Sequence, residues 1–157
     1  VKSSTYFDKQ VYSEDTSNYK VISRGWFGFP SNHIEEGSIG LLKNHDVGIV
    51  SPIYTVFKTG ESIDPEYLYA VFKTETFRHI FEVYTNASVN RRGSLRWKAF
   101  SRIQIPRPSL LEQNAISNVL NTIDNEISLI EAKCNALRQQ MNTLIQKLTS
   151  GQIRVRV

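Results

Sequence analysis

The sequence Ile105-Pro-Arg-Pro-Ser-Leu-Leu-Glu112 decides how the chain is organised, because it separates two unlike segments. Pro106 and Pro108 hold an extended stretch that cannot lie inside a helix. Ser109 and Glu112 then have the spacing of a capping box, in which two side chains satisfy the free backbone N–H groups of a new helix. This junction predicts a globular segment of residues 1–108, followed by a helix that begins at residue 109.

The segment after the junction contains no aromatic residue, and its apolar residues recur at alternating spacings of four and three. This is the period of a coiled-coil seam, which buries heptad positions a and d against another helix. Gly151 is a typical helix stop. We therefore predict one long helix over residues 109–150 and a C-terminal tail over 151–157. The predicted dimerisation seam consists of Leu120, Ile127, Cys134, Met141 and Leu148 at position a, and Ile116, Ile123, Ile130, Leu137 and Leu144 at position d.

A helix of this length spans about 60 Å, which is more than a small core can cover. The seam is therefore expected to meet a second long helix, although docking on the chain's own globular segment is an alternative. The flanking charges leave the orientation open. A parallel pair would place Cys134 beside Cys134 and crosslink under mild oxidation, whereas an antiparallel pair would place Cys134 beside Ile130.

The globular segment holds both tryptophans and all eight phenylalanines, and its patterns are typical of a mixed α+β fold. Short runs rich in β-branched and aromatic residues predict strands within 19–26, 47–50, 53–57 and 100–105. Asp64 followed by Pro65 predicts the start of a helix that continues to Phe81. The fold class expected for the whole chain is α+β, with a long coiled-coil helix at its C-terminal end.

Composition and motifs argue against several classes of protein. The chain lacks Gly-rich phosphate loops, nucleophile elbows and histidines with metal-ligand spacing, so we expect no catalytic residues, no metal and no cofactor. No apolar run is long enough for a membrane span. The single cysteine, Cys134, fits a reducing compartment, and the expected location is the cytoplasm.

The positive charge is concentrated in one window of the chain. The 157 residues carry 19 Lys and Arg and 15 Asp and Glu, a net charge of +4. Residues 91–107 contain six basic residues and no acidic one, which leaves 13 basic and 15 acidic residues elsewhere. Because Arg can bind phosphate or guanine and Asn can bind adenine, this window predicts DNA contact, although a solvated turn is the alternative. The candidates here are Asn90, Arg91, Arg92, Ser94, Arg96 and Lys98.

A second candidate surface is the stretch Arg24–His33, which combines aromatic, glycine and polar residues in a pattern unlike a strand. Exposed aromatics in a Gly-rich loop are typical of a contact surface, but the same rings could instead fill the core. The DNA-binding candidates from this region are Arg24, Trp26, Asn32, His33 and Lys43.

Two stretches resemble the specificity (S) subunits of type I restriction–modification systems. The stretch Ile103–Gln113 is similar to the family's junction between a target recognition domain and a conserved helix, and Leu148–Val155 is similar to its closing segment. Val50–Phe57 and Asp64–Leu68 also look like that family's recognition domain. The resemblance implies one recognition domain and one conserved helix, half of a full subunit, either as a fragment or as a natural half-length form.

The resemblance also implies a function and partners. In that family, each recognition domain reads one half of a split site in double-stranded DNA, and paired antiparallel helices set the spacing. Methyltransferase (M) subunits and a restriction (R) subunit carry the catalysis, so this chain is expected to be a non-enzymatic DNA-binding specificity subunit. It would pair as a homodimer, or with the missing half of a longer subunit. The alternative function is a coiled-coil interaction or adaptor protein without specific DNA binding.

Overall fold

The structure, a computed structural model, describes residues 15–86 and 94–155. The chain forms two compact units, Val1–Asn114 and Ala115–Val157. The first unit contains short strands and helices, and the second contains most of one long helix. This confirms the expected α+β class with a long C-terminal helix.

In the described residues of the first unit, five short strands form two small antiparallel sheets. One sheet pairs β1 with β4, and the other has the order β3-β2-β5. The strands are β1 Lys20–Ser23, β2 Phe27–Pro30, β3 Gly40–Leu41, β4 Val47–Val50 and β5 Tyr54–Phe57. A short 3₁₀ helix, Ile34–Glu36, connects β2 to β3.

The expectation that Arg24–His33 would not contain a strand is wrong, because β2 is the central strand of the larger sheet. Phe27 and Phe29 alternate toward the core and are fully buried. Gly28 permits this packing, since a Cβ there would lie only 3.3 Å from the Ile22 side chain. The phenylalanines of this stretch therefore fill the core.

Two consecutive helices replace the single helix expected from Asp64 onward. The first helix, α1 Pro65–Phe72, is capped by Asp64, whose Oδ1 accepts a hydrogen bond from the Tyr67 N–H at 2.7 Å, as its sequence predicts. The second, α2 Glu75–Asn86, begins after Thr74, whose hydroxyl accepts from the Phe77 N–H at 3.4 Å. A new cap at Thr74 therefore ends one helix and starts the next.

The strand predicted over Phe100–Ile105 is also wrong. Residues Trp97–Phe100 form a short helix, α3, and the chain then turns without regular structure until Ser109. Within this turn, the Ser101 N–H donates to the Trp97 carbonyl at 2.8 Å. Local helical hydrogen bonds therefore pair the backbone N–H groups at the start of this stretch, although its alternating apolar residues resemble a strand.

The long helix, α4 Leu110–Thr149, has 40 residues and is close to the bounds predicted from the sequence. Ser109 caps it, since its hydroxyl accepts from the Glu112 N–H at 3.3 Å. Nine of the ten predicted seam residues, Leu120 to Leu148, are exposed in the single chain, and Ile116 is half-buried. The helix therefore presents an apolar face that needs a partner to be covered.

Candidate nucleic-acid interface

Three loops of the first unit meet at the end of β2. The Leu95 N–H donates to the Ser31 carbonyl at 2.7 Å, and the Ser31 hydroxyl donates to the Ile53 carbonyl at 3.0 Å. We call the combined residues 31–33, 51–53 and 94–98 the loop cluster. These two hydrogen bonds bring the turn after β2 and the start of α3 together, although they lie more than 60 residues apart in sequence.

Phe100 fixes α3 to the core beneath the loop cluster. Its ring stacks on Phe29, with centroids 4.5 Å apart, and also contacts Phe57, Phe72 and Phe81. Because Phe100 is buried at the last position of this one-turn helix, the exposed residues Arg96, Trp97 and Lys98 are held on a fixed base.

Trp97 packs against the edge of this core and is half-exposed to solvent. Its ring packs against Phe57 and Phe100, with centroid separations of 5.4 and 5.8 Å, yet the residue is 48% exposed. An exposed indole face of this kind can stack on a base or lie along a sugar–phosphate backbone.

Four basic residues of the window 91–107 lie in the described part of the chain and are exposed. They are Arg96, Lys98, Arg102 and Arg107. Within residues 15–86 and 94–155, no carboxylate forms an ion pair with any of them. Their positive charges are therefore not offset by a described carboxylate and are available to an anionic partner. Asn90, Arg91 and Arg92 lie outside the described residues, and Ser94 is half-buried beside Leu95.

Asn32 and His33 belong to the loop cluster. His33 adopts a left-handed backbone conformation with φ of 67°, which is uncommon for a residue other than glycine. Its Nδ1 lies 3.1 Å from a carboxylate oxygen of Glu36. Asn32 is exposed and makes no hydrogen bond to another described residue, so its amide is free to meet a base edge or a phosphate.

The remaining candidates, Arg24, Trp26 and Lys43, lie at the opposite end of β2. Arg24 pairs with Asp46 at 2.9 Å and also donates to the Lys43 carbonyl at 2.9 Å. Lys43 forms an ion pair with Glu66 and lies 5.0 Å from the centre of the Tyr69 ring. The structure therefore divides the predicted residues into two sets, and the charges at this end are already balanced.

Hydrophobic periodicity and charge do not reveal the role of one polar residue that organises the junction. Gln113 is fully buried, and its amide nitrogen donates to the carbonyls of Pro108 and Ser62 at 2.9 and 3.2 Å. Its amide oxygen accepts from the Asp64 N–H at 2.9 Å. A glutamine in the first turn of a helix is ordinarily exposed, so only the packed structure reveals this role.

Residues 15–86 and 94–155 contain neither a candidate metal site nor a candidate membrane span. No cluster of three or more His, Cys, Asp or Glu side chains in these residues could hold a metal ion. None of their helices is both long and apolar enough to cross a membrane.

Comparisons with known proteins give a consistent result. Residues 7–139 match the family model described as the type I restriction modification DNA specificity domain. The chain is also similar to the crystal structure of the HsdS subunit from Thermoanaerobacter tengcongensis, with a TM-score of 0.61 and 20% sequence identity. This match covers 85% of the present chain and 35% of that subunit, so the chain spans about a third of its length. At this identity, the structural likeness establishes a shared fold.

Proposed function

Since the chain belongs to the type I restriction modification DNA specificity domain family, we propose that it is a DNA-recognition module that reads one half of a two-part site. Residues 1–108 serve as the recognition domain, and residues 109–150 form the arm that sets the distance to a second recognition domain. The second domain comes from another copy of the chain or from the missing half of a longer subunit.

The observation that carries this proposal is the composition of the loop cluster. Arg96 and Lys98 flank Trp97, which is half-exposed, and Asn32 belongs to the same loop cluster, with an amide that makes no hydrogen bond to another described residue. Basic side chains supply attraction to phosphates, whereas an amide can distinguish base edges and an aromatic ring can make apolar contact with the methyl group of thymine. The set therefore combines the two kinds of contact that sequence-specific DNA binding requires.

The other end of β2 is a weaker candidate on the same physical grounds. Arg24 and Lys43 are neutralised by Asp46 and Glu66, so moving them onto DNA would break existing ion pairs. We accordingly place the interface at the loop cluster, together with Asn90 and the basic residues Arg91 and Arg92, which precede residues 94–98 in sequence.

Catalysis is proposed to lie on other subunits. Methyltransferase and restriction subunits would bind the DNA-bound module and act on the site that it selects. This part of the proposal is supported by family membership and by the absence of a catalytic motif in the sequence.

Fluorescence anisotropy with labelled duplex DNA, measured at several salt concentrations, tests the proposed interface. Replacing Arg96 and Lys98 together with Ala should weaken binding and reduce the slope of log affinity against log salt by about 2, one for each lost phosphate contact. The matched control is Arg78→Ala, because Arg78 is exposed but lies on α2 and is paired with Glu75. Equal affinity and salt dependence for the double variant and the unaltered protein would contradict the proposed interface.

A further inference from the structure

The C-terminal tail turns back over the end of α4. Gly151 has a positive φ of 75°, and its N–H donates to the Leu148 carbonyl at 3.2 Å. The Ile153 N–H then donates to the Lys147 carbonyl at 3.1 Å, which brings Ile153 beside the helix. Glycine is the residue that adopts this reversal most easily.

The returning tail and the helix form an open cleft of about 460 Å³. It is lined by Ile153 of the tail and, on the helix, by Ala136, Gln139, Gln140, Thr143, Leu144 and Lys147. Leu144 occupies heptad position d of the seam, Gln140 and Lys147 occupy position g, and the other three lie farther from the seam at positions c and f. The cleft therefore borders the seam along its g edge.

The charge contacts of an antiparallel pair alone leave the orientation open, because they are both attractive and repulsive, but those of a parallel pair are all repulsive, so the two sets together favour an antiparallel pair. A parallel pair would bring Glu126 beside Glu131 and Lys133 beside Arg138, each of them twice, without any attractive contact. An antiparallel pair would instead bring Asp124 beside Arg138 twice, at the cost of one Glu131–Glu131 and one Lys133–Lys133 contact. Attraction offsets repulsion only in the antiparallel arrangement.

The seam itself selects one antiparallel register. In such a pair, each a residue packs against a d residue of the partner, and all five of each kind are covered only when Leu120 lies opposite Leu144. Any shift by a heptad would leave seam residues uncovered at both ends. Burial of apolar surface therefore opposes every other register.

This register places Val119 over the cleft. Val119 lies at position g, and the g edges of two antiparallel helices face each other, so it meets the partner helix at the level of Leu144 and Lys147. Val119 is 60% exposed in the single chain and does not belong to the a and d seam. A cleft lined by Leu144 and Ile153 would remove this branched side chain from water.

We propose that the cleft beneath the returning tail is the seat for Val119 of a second, antiparallel copy of this chain. The two-fold symmetry of the pair creates two such contacts, one at each end of the seam. The tail thereby helps to select the register, and the register fixes the length of the arm between the two recognition domains. This inference rests on the pairing through α4 that is part of the proposed function.

Sedimentation equilibrium of the full chain tests the seat by a double-mutant cycle. Val119→Ala and Ile153→Ala should each raise the dimer dissociation constant about tenfold. Because both changes remove the same contact, the double variant should dissociate little more than either single variant. Leu129→Ala is the control, since Leu129 is 71% exposed at heptad position c and should leave the dissociation constant unchanged.

Disulfide trapping tests orientation and register independently. Ile130→Cys should crosslink readily through the partner's Cys134, while the unaltered chain should not crosslink through Cys134 alone. Rapid crosslinking of the unaltered chain would overturn the antiparallel seat.

The double-mutant cycle separates the seat from the pairing. An unchanged dimer dissociation constant for Val119→Ala, or additive losses of dimer stability in the double variant, would overturn the seat but not the pairing. A chain that stays monomeric at tens of micromolar, about the concentration at which even a weak specific pair forms, would overturn both.

Discussion

At the scale of single residues, the junction depends on a buried side-chain amide. Gln113 binds three backbone groups, the carbonyls of Ser62 and Pro108 and the N–H of Asp64. Asp64 in turn caps α1, so one glutamine joins the start of α4 to the start of α1. The cap at Asp64 could be predicted because donor and acceptor are three residues apart. The role of Gln113 could not, because its partner at Asp64 is 49 residues away.

Replacing Gln113 with Ala should therefore lower the free energy of unfolding by about 2 to 3 kcal/mol, because it removes the partner of three part-buried backbone groups. Gln113→Glu should cost at least as much, since a carboxylate would face the two carbonyls to which the amide now donates. Urea denaturation followed by tryptophan fluorescence measures both changes. Asn114→Ala is the matched control, because Asn114 is exposed in the same helical turn and should alter stability little.

Tyr67 is the second buried polar contact at the junction. Its hydroxyl donates to the Pro106 carbonyl at 3.2 Å, and the residue is only 5% exposed. Burial, assisted by the negative charge of Glu112, raises the pKa of Tyr67 above its ordinary value of 10.0. In the unfolded chain, the hydroxyl therefore ionises at a lower pH than in the folded protein.

This shift predicts a stability that depends on alkaline pH. The contribution of Tyr67 is fully present below about pH 10 and is lost as the pH rises through the raised pKa. Urea unfolding measured between about pH 8 and about pH 11 should show a smaller loss of stability for Tyr67→Phe than for the unaltered protein. Tyr84→Phe, at an exposed position of α2, is the control and should lose as much stability over this pH range as the unaltered protein. An identical pH profile for Tyr67→Phe and the unaltered protein would contradict this account.

At the scale of elements, sequence periodicity predicted the longest element best. The regular seam and the capping residue at Ser109 placed α4 within a residue at either end, because both signals are local and repeated. The shortest elements were predicted least well. Phe100 and Ile103 fit a strand or a helical turn equally, and contacts with Phe29 and Phe81 decide in favour of the turn. Likewise, Gly28 made β2 hard to predict, because glycine is uncommon in strands. Its role is to let the Ile22 side chain approach the backbone closely, and this contact is visible only in the structure.

The exposed seam makes a prediction about association. Leu137→Asp should raise the dimer dissociation constant at least about a hundredfold, because pairing would bury an uncompensated carboxylate. Sedimentation measures the change, and tryptophan fluorescence checks that the first unit stays folded. Leu129→Asp introduces the same charge outside the seam and should leave the dimer intact. Equal association of the two variants would show that the a and d face is not the interface.

At the scale of the whole molecule, the proposed function requires both a DNA-recognition surface and a helical arm of defined length. The sequence predicted the basic window and the turn at Asn32 and His33 as candidates, but it could not show that Leu95 and Ser31 bring them together. Nor could the sequence show that Arg24 and Lys43 belong to a different surface, because their carboxylate partners, Asp46 and Glu66, are distant in sequence. Charge and motif are local properties, whereas the grouping of loops is set by the packing of the core.

We propose that two recognition domains, held apart by paired helices, read a divided site. Sequencing of the duplexes that the chain selects from a random DNA pool tests this proposal. We expect an enriched inverted repeat of two half-sites separated by a gap of fixed length, because an antiparallel homodimer has two-fold symmetry. Enrichment of a single undivided motif, of half-sites with no fixed gap, or of no sequence at all would contradict it.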